Sequence, residues 1–427
     1  MKKLLCILLA VLTVAGLASC GKQEEKKGFT PSLDTSSAAK ITVVGNYSNF
    51  ESLEAIFDDF NEIYPNVELG YYKPDDYNNV IGSVLKSESA PNIYFTYSWM
   101  AGKDQYVKCF EYAEDLSDPS LGFDIDVIRP SLLCRNADGT LPMVPVFATT
   151  NGMLVNNDLF KKEGLKVPTT YSELVSVCEA FKAKGYVSPM MGYASQSTSY
   201  MAVLTYPLFC ASLANDPGAI EAANRLDPAA GEYMRVAFEK MADIFEKGCI
   251  DYEACAAIKD SYNELILRFF EGDVPMMICS GDTASGTKKR ESQSEAFTAN
   301  PFSYSFAVIP VTDDGAYLID SASVQFSVNK NCKDLDMTNE FMRFLLTNEK
   351  LTKMSEIKRL VTPTKDFTYD SVYASLGDVP ESMILSPEAL GIADDVSVQL
   401  RVALYKVAVG ELTVDEAIHL YGTFENP

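Results

Sequence analysis

The sequence is poor in the residues and motifs on which most enzyme active sites are built. It has one histidine, His419, which excludes any metal site or catalytic group that needs two imidazoles. It contains no G-x-S-x-G, H-E-x-x-H or G-x-x-x-x-G-K-[ST] segment, so the marks of an esterase, a zinc protease and a phosphate-binding loop are missing. We therefore predict that the chain is not an enzyme and carries no cofactor and no metal.

Basic residues and paired cysteines are also scarce. The 36 Lys and Arg residues are outnumbered by 59 Asp and Glu residues, and the net charge of -23 disfavours nucleic acid and anionic lipid as partners. None of the ten cysteines forms a C-x-x-C pair, and the eight that follow Cys20 are scattered. This spacing indicates buried small apolar residues rather than a disulfide scaffold, and it leaves their redox state open.

Long apolar runs are absent except near the start of the chain, where Leu4 to Leu17 follows two lysines. This run is too short for a lasting span of ~30 Å of hydrocarbon, but it has the form of an export signal. It ends in Leu-Ala-Ser-Cys at 17–20. We predict a lipoprotein signal peptide over 1–19 and a lipid on Cys20 that anchors the protein outside the cytoplasmic membrane. The alternative is an ordinary signal peptide followed by a chance cysteine.

The rest of the chain has the composition of a packed α/β protein, and its 427 residues exceed what one hydrophobic core usually serves. After a flexible tether predicted over 20–40, strands at 41–44, 67–72 and 93–97 alternate with two amphipathic helices. A capping box at 48–51 is predicted to open the first helix. This order predicts a parallel sheet with right-handed crossovers, and further strands and helices follow it.

Four segments carry a resemblance to a known family. They are Ala-Pro-Asn-Ile-Tyr-Phe at 90–95, the stretch 141–174 that ends in Tyr-Ser-Glu-Leu, Phe-Phe-Glu-Gly-Asp-Val-Pro-Met-Met at 269–277, and Gly-Glu-Leu-Thr-Val-Asp-Glu-Ala at 410–417. Together they resemble the extracellular solute-binding proteins of ABC importers, and most of all the maltose-binding-like, family 1 branch of sugar-binding lipoproteins.

The resemblance implies a two-lobed periplasmic-binding-protein fold of the α/β class. Each lobe would be a mostly parallel sheet flanked by helices, and hinge strands would join the lobes. Residues 41–148 and 281–322 would form the N-terminal lobe, and residues 149–280 and 323–427 the C-terminal lobe. A monomer would capture a carbohydrate between the lobes and deliver it to membrane permease subunits by closing. The identity of the sugar and of the permease stays open.

Ligands of open α/β sheets lie beyond the carboxyl ends of the strands, and that rule selects the candidate site. Sugar recognition needs aromatic faces together with side chains that hydrogen-bond hydroxyl groups. The candidates are Asn46, Tyr47, Glu51, Tyr97, Ser98, Trp99, Phe147, Thr149, Asp282, Asp320 and Ser321, with Tyr193 and Tyr200 from the other lobe. The alternative roles are core filling for Trp99 and turn capping for Asp282 and Asp320.

Other functions stay open as alternatives. The acidic composition, with Asp320 where family members often have glycine, favours a polyamine or another small cationic solute. The many carboxylates leave room for a surface glycoside hydrolase, which needs two of them in one site. An adhesive or structural lipoprotein would lack a cleft with convergent aromatic residues. A ferric site at Tyr71 and Tyr72 is not expected, because neighbouring residues of a strand face opposite sides.

Overall fold

The structure, a computed structural model, describes residues 29–365 and 371–427. The predicted signal peptide, the lipid-attachment site at Cys20 and the first part of the tether lie outside the described residues. Residues Leu33–Pro427 form one compact unit, which contains all the strands and helices given below. In the described part of the chain, no helix is both long enough and apolar enough to cross a bilayer.

Eleven strands and seventeen α-helices lie within the described residues. The strands are β1 (Ala39–Val44), β2 (Val67–Tyr72), β3 (Ile93–Thr96), β4 (Val144–Thr149), β5 (Asn151–Asn156), β6 (Met190–Gly192), β7 (Met276–Ser280), β8 (Tyr304–Ala307), β9 (Leu318–Ile319), β10 (Ser321–Val328) and β11 (Ile384–Leu385). The helices are α1 (Glu51–Asn61), α2 (Tyr77–Val84), α3 (Val107–Glu111), α4 (Asn157–Glu163), α5 (Tyr171–Ala183), α6 (Tyr200–Ala214), α7 (Pro217–Asn224), α8 (Arg235–Glu246), α9 (Tyr252–Ala256), α10 (Asn263–Phe269), α11 (Gly281–Ser285), α12 (Thr287–Glu291), α13 (Glu295–Ala299), α14 (Leu335–Leu345), α15 (Asn348–Lys358), α16 (Asp394–Ala408) and α17 (Val414–His419).

The strands form two main sheets, and each sheet is the centre of one lobe. The first has the order β2-β1-β3-β10-β4, and the second has the order β6-β7-β5-β8. In the first sheet β1 pairs in parallel with β2 and β3, as the alternation of strands and helices predicts, while β10 is antiparallel to β3 and β4. In the second sheet only β6 and β7 are parallel.

The expectation of mostly parallel sheets is therefore wrong in its detail. Parallel neighbours need a crossover of a dozen or more residues, usually a helix. At the boundary between the lobes the chain instead runs almost directly from β4 into β5 and from β9 into β10. These strands enter their sheets without such a crossover, and β10 and β5 both pair antiparallel with their neighbours, so both sheets are mixed.

The expected division of the chain between the lobes also needs correction after residue 281. The segment 281–322 was expected in the first lobe, but β8 pairs with β5 in the second sheet. The segment 323–427 was expected in the second lobe, but β10 lies in the first sheet and the helices that follow it pack on α1. The ring of Phe341 lies 5.5 Å from that of Phe57 and 5.3 Å from that of Phe60.

The N-terminal boundary of the folded part is earlier than expected. Strand β1 begins at Ala39, so the predicted tether does not extend to Lys40. Residues before the strand already contact the first lobe, because the Asn66 side chain donates a hydrogen bond to the Ser36 carbonyl at 3.0 Å. The capping box expected at 48–51 does not form: the N-cap of α1 is Phe50, and Asn49 instead exchanges hydrogen bonds with Glu51.

A buried ion pair joins the segments that pass between the lobes. Arg129 donates to both carboxylate oxygens of Asp320 at 2.9 and 2.8 Å, and its Nη1 donates to the carbonyls of Thr362 and Thr364. Asp320 separates β9 from β10, whereas Thr364 lies just before the chain's return to the second lobe. Because the Arg129 and Asp320 side chains are only 7% and 2% exposed, solvent hardly weakens this bidentate contact.

We expect Arg129→Leu to lower the free energy of unfolding by about 3–5 kcal/mol, because it leaves the Asp320 carboxylate buried without its cation. Urea unfolding monitored by circular dichroism measures the change. Arg225→Leu is the matched control: it removes an exposed ion pair with Glu221, for which a loss below about 1 kcal/mol is expected. Equal losses in the two variants would contradict the role given to Arg129.

Candidate functional site

A cavity of about 630 Å³ lies between the two lobes. Residues that follow β3 form its first wall, and Ser321 and Ala322 of β10 lie at the crossing between the lobes. The second wall consists of Tyr206 on α6, the loop that includes Glu388, and Asp394 at the start of α16. Helix α6 packs on β5 and β7, and α16 packs on α6, so this wall belongs to the second lobe. The volume is that of a small-molecule site.

Two stacked aromatic rings form the first wall. The rings of Tyr97 and Trp99 are 5.6 Å apart and nearly parallel, at 14°. Trp99 also meets Tyr106 edge to face, and the Lys103 ammonium lies 5.1 Å from its ring centroid. The Tyr97 hydroxyl donates to the Asn46 side chain at 3.0 Å. These contacts hold both half-buried rings in place at the edge of the cavity, where β3 ends.

Carboxylates line the opposite wall. The Glu388 carboxylate accepts hydrogen bonds from the hydroxyls of Ser321 at 3.2 Å and Ser386 at 3.3 Å. Burial raises the pKa of Glu388, and these two hydroxyls partly oppose the shift. Asp394 and Asp395 lie on the same wall and are exposed to the cavity. The cavity therefore presents aromatic rings on one side and hydrogen-bond acceptors on the other.

A smaller cavity of about 360 Å³ shares Tyr97 with the larger one. It is lined by Asn46 and Tyr47 after β1, and by Tyr262 and Asp282 of the second lobe. Gly45 allows the ring of Phe95 to pack directly against the backbone after β1, because a Cβ at this position would collide with that ring. Together the two cavities form one cleft with a contribution from each lobe.

Tyr47 is held in this cleft by rings beneath it and by an ammonium group above it. Its ring meets Phe50 and Phe95 edge to face at 5.2 and 5.6 Å. The Lys358 ammonium lies 4.6 Å from the ring centroid, which is within the range of a cation–π contact. Burial, with a smaller contribution from Asp282, raises the pKa of Tyr47, and burial lowers the pKa of Lys358.

Asp282 is the carboxylate of the smaller cavity, and it contacts both hinge strands. It accepts a hydrogen bond from Thr149 of β4 at 2.8 Å and one from Ser323 of β10 at 3.0 Å. Its side chain is open to the cleft but surrounded by protein on its other sides, and this loss of solvent raises its pKa despite the two hydroxyl donors. Thr149 orients Asp282 and does not itself line either cavity.

The structure brings seven of the predicted site residues to the surface of the cleft. They are Asn46, Tyr47, Tyr97, Ser98, Trp99, Asp282 and Ser321. Five others lie elsewhere. Phe147 and Tyr200 are core residues with 0% and 1% exposure, and Asp320 is held by Arg129. Glu51 is exposed at the start of α1, and Tyr193 is half-buried outside both cavities.

Strand geometry explains the position of Phe147. A residue near the end of a strand lines the cleft only if its side chain points towards the cleft. The side chain of Phe147 points instead into the core, where its ring packs against that of Phe50. The Tyr71 hydroxyl donates a hydrogen bond to the Tyr47 carbonyl at 2.8 Å. Among the described residues, no cluster of three or more His, Cys, Asp or Glu side chains could hold a metal ion.

None of the residues of the second-lobe wall is among the predicted site residues. Tyr206 is followed by Pro207 inside α6, and a proline in a helix interior is costly enough to mark a special position. That signal was available. No local sequence signal marks Glu388, because it lies in an irregular loop far along the chain from the strands that define the cleft.

Comparisons with known proteins agree with this architecture. A sequence model of the family described as bacterial extracellular solute-binding protein matches residues 55–381. The apo form of RafE from Streptococcus pneumoniae is 18% identical, with a TM-score of 0.68 over 92% of this chain and 98% of that chain. The GacH receptor of Streptomyces glaucescens is 18% identical, with a TM-score of 0.64 over 90% and 97%.

A third similar structure is a family 1 extracellular solute-binding protein from Bifidobacterium longum subsp. infantis. It is 14% identical, with a TM-score of 0.66 over 90% of this chain and 98% of that chain. No curated protein sequence matches the chain. At these identities the similarity shows the fold, and the predicted two-lobed α/β fold is confirmed.

We expect Asp282→Asn to raise the melting temperature at pH 7 and to lose this advantage as the pH falls towards 4. The folded protein holds the Asp282 proton more tightly than the unfolded chain does, so ionisation of Asp282 opposes folding above its raised pKa. Scanning calorimetry between pH 4 and pH 7 measures the difference.

Asp138→Asn is the control with the opposite sign. Hydrogen bonds from Thr140 lower the pKa of Asp138, so that variant should melt at a lower temperature than the wild type at pH 7 and approach it at low pH. A difference between Asp282→Asn and the wild type that does not change with pH would contradict the prediction.

Proposed function

Because the chain belongs to the family of bacterial extracellular solute-binding proteins, we propose that it is the carbohydrate receptor of an ABC importer. It captures a sugar in the cleft between its lobes and delivers it to the permease by closing. The protein works as a monomer, has no enzymatic activity, and is held to the cell membrane by a lipid on Cys20.

The observation that carries the proposal is that one wall of the cleft is aromatic and the opposite wall bears carboxylates. Tyr97 and Trp99 provide ring surface for the C–H face of a sugar, and Glu388 and Asp394 provide acceptors for its hydroxyl groups. RafE has been solved in complex with raffinose, and the GacH receptor in complex with acarbose. These two proteins have the same fold and carbohydrate ligands, which supports the choice of a sugar.

The position of the cleft between the lobes supports the proposed delivery. A ligand that contacts both lobes gains part of its binding free energy only when the lobes are closed, so it shifts the population towards the closed state. The crossing strands β4 and β10 lie at this boundary, and Ser321 contacts Glu388 across it. A permease that recognises the closed arrangement of the lobes would therefore distinguish loaded from empty receptor.

We expect an oligosaccharide to change the protein's tryptophan fluorescence in a saturable way. Trp99 is the only tryptophan in the chain and lies in the cleft, so the signal reports on the site itself. Raffinose, maltotriose and spermidine are suitable first probes. With the sugar that binds, Trp99→Ala and Tyr47→Ala should each weaken binding by about threefold to tenfold in calorimetric titrations, since an aromatic contact contributes about 0.5–1.5 kcal/mol.

Tyr233→Ala is the control for this series, because Tyr233 bonds to Asp216 outside both cavities. Unchanged affinity in both cleft variants, or an equal loss in the control, would contradict the placement of the site. Recovery of the bound sugar intact after incubation separates a receptor from a glycoside hydrolase.

A polyamine is the second candidate ligand. Glu388, Asp394 and Asp395 place three carboxylates on one wall of the larger cavity, and cationic ligands suit such a wall. However, Lys103 and Arg135 line the same cavity, and Asp320, which first suggested a cationic ligand, is bound by Arg129. Binding of spermidine without binding of any sugar would favour this candidate over the first.

We expect Cys20→Ser to release the exported protein from the membrane fraction, because the lipid would have no attachment site. Cys6→Ser, in the apolar run of the signal peptide, should leave the protein membrane-bound. Fractionation of cells followed by immunoblotting measures the distribution. A Cys20→Ser protein that still sediments with membranes would contradict lipid anchoring.

A further inference from the structure

One end of the cleft presents a positive charge, although the whole chain has a net charge of -23. Lys358, the last residue of α15, lines the smaller cavity and is the only cation that does so among the described residues. Helix α15 packs on α1, so this ammonium belongs to the first lobe, and it shares the cavity with Tyr262 and Asp282 of the second lobe. In the larger cavity, by contrast, three carboxylates offset two cations.

Lys358 has an aromatic ring as its neighbour and no counterion. Its ammonium lies 4.6 Å from the centroid of the Tyr47 ring. Within the part of the chain that the structure describes, this ammonium forms no ion pair and donates no hydrogen bond to an oxygen. Lys350 and Lys353 of the same helix differ, because both bind the Asp59 carboxylate, at 2.9 and 2.8 Å. The three N–H donors of Lys358 are therefore available to a ligand.

The carboxylate of the same cavity does not neutralise Lys358. Each oxygen of Asp282 already accepts a hydrogen bond from a hydroxyl of a crossing strand. Loss of solvent lowers the pKa of Lys358, an effect that Glu51 opposes and Lys289 increases. An anion that approaches such an ammonium favours its charged form, and the anion gains binding free energy from the same contact.

Tyr262 is held in place beside this cavity by a second cation. The Arg290 guanidinium of α12 lies 4.5 Å from the centroid of the Tyr262 ring. The guanidinium is itself fixed, because two of its nitrogens donate to the Asn263 side-chain carbonyl at 3.1 and 2.5 Å and a third donates to the Gly286 carbonyl at 3.3 Å. Both acceptors are neutral, so Arg290 adds to the positive potential at this end of the cleft.

We propose that the smaller cavity is a subsite for the acidic unit of a saccharide, a uronic acid whose carboxylate binds the Lys358 ammonium. The inference rests on the proposed function and names the class of carbohydrate that the receptor takes. Tyr97 lines both cavities, so a saccharide placed against Tyr97 and Trp99 extends directly into this subsite. The carboxylate would then contact the first lobe while its sugar ring lies near Tyr262 of the second.

A single negative charge suits this subsite better than a double one. One ammonium lines the cavity, and the Asp282 carboxylate beside it would repel a dianion such as a phosphate. The same ammonium would repel the end of a polyamine. A carboxylate on a sugar combines one charge with hydroxyl groups that can bind to Asp282 and Asn46.

The test compares acidic saccharides with neutral forms of the same size. Trigalacturonate, glucuronosyl-xylotriose and the methyl ester of each are titrated calorimetrically into the mature protein. The acid that binds should bind about tenfold to hundredfold more tightly than its ester, because a hydrogen bond to a charged group is stronger than one to a neutral group. The difference should shrink when the ionic strength rises from about 0.02 to about 0.5 M.

Variants of one helix locate the effect. Lys358→Met keeps the length of the side chain and should remove the preference for the acid while leaving the affinity for the ester unchanged. Lys358→Arg should retain the preference. Lys353→Met is the matched control, since it removes the same charge from α15 at a residue that binds Asp59 outside the cleft, and it should bind both forms like the wild type.

The outcomes separate this subsite from the proposed function. Equal affinity for acid and ester, a preference that survives Lys358→Met, or binding of raffinose or maltotriose alone would overturn the acidic subsite and leave the sugar receptor in place. Absence of binding to every acidic and neutral saccharide would contradict both. The comparison of acid with ester in the wild-type protein needs no substitution, so it decides the proposal even if a variant fails to fold.

Discussion

The arrangement of the two lobes depends on the buried contact between Arg129 and Asp320. A guanidinium group in the first lobe binds the carboxylate between β9 and β10, and it also binds two carbonyls of the segment that returns to the second lobe. Two of the chain's passages between the lobes are thereby held at one point. Because both ions have lost nearly all their solvent, the contact tolerates little displacement of its members, and the crossing segments keep a defined register.

That register determines which side chains face the cleft. Ser321 is opposite Thr149 in the pairing of β10 with β4, so the hydroxyls of Thr149 and Ser323 are near enough to bind Asp282 from the second lobe. Ser321 in turn contacts Glu388. Both cavities thus have a carboxylate of the second lobe hydrogen-bonded to a hydroxyl of a crossing strand. Any movement of the lobes changes the surroundings of these carboxylates, which couples the position of the lobes to the polarity of the site.

The sequence predicted the elements whose signals are local. The alternation of strands and helices in residues 41–97 identified the parallel part of the first sheet, and Tyr97, Ser98 and Trp99 were placed correctly in the cleft because they directly follow β3. Thr170 has the same Thr-x-x-Glu spacing at the start of α5, and its hydroxyl accepts a hydrogen bond from the Glu173 amide at 3.3 Å. The capping box predicted at Ser48 to Glu51 was wrong, because Asn49 and Glu51 instead hydrogen-bond to each other.

Spacing along the chain was enough to predict most of the strands and helices and the aromatic half of the cleft, since each depends on residues within a few positions of one another. Only the tertiary structure decided which carboxylates line the cleft. Asp320 binds an arginine 191 positions away, and Glu388 reaches the cavity from an irregular loop. Long-range partners of this kind follow from how sheets and helices pack, which no local periodicity records.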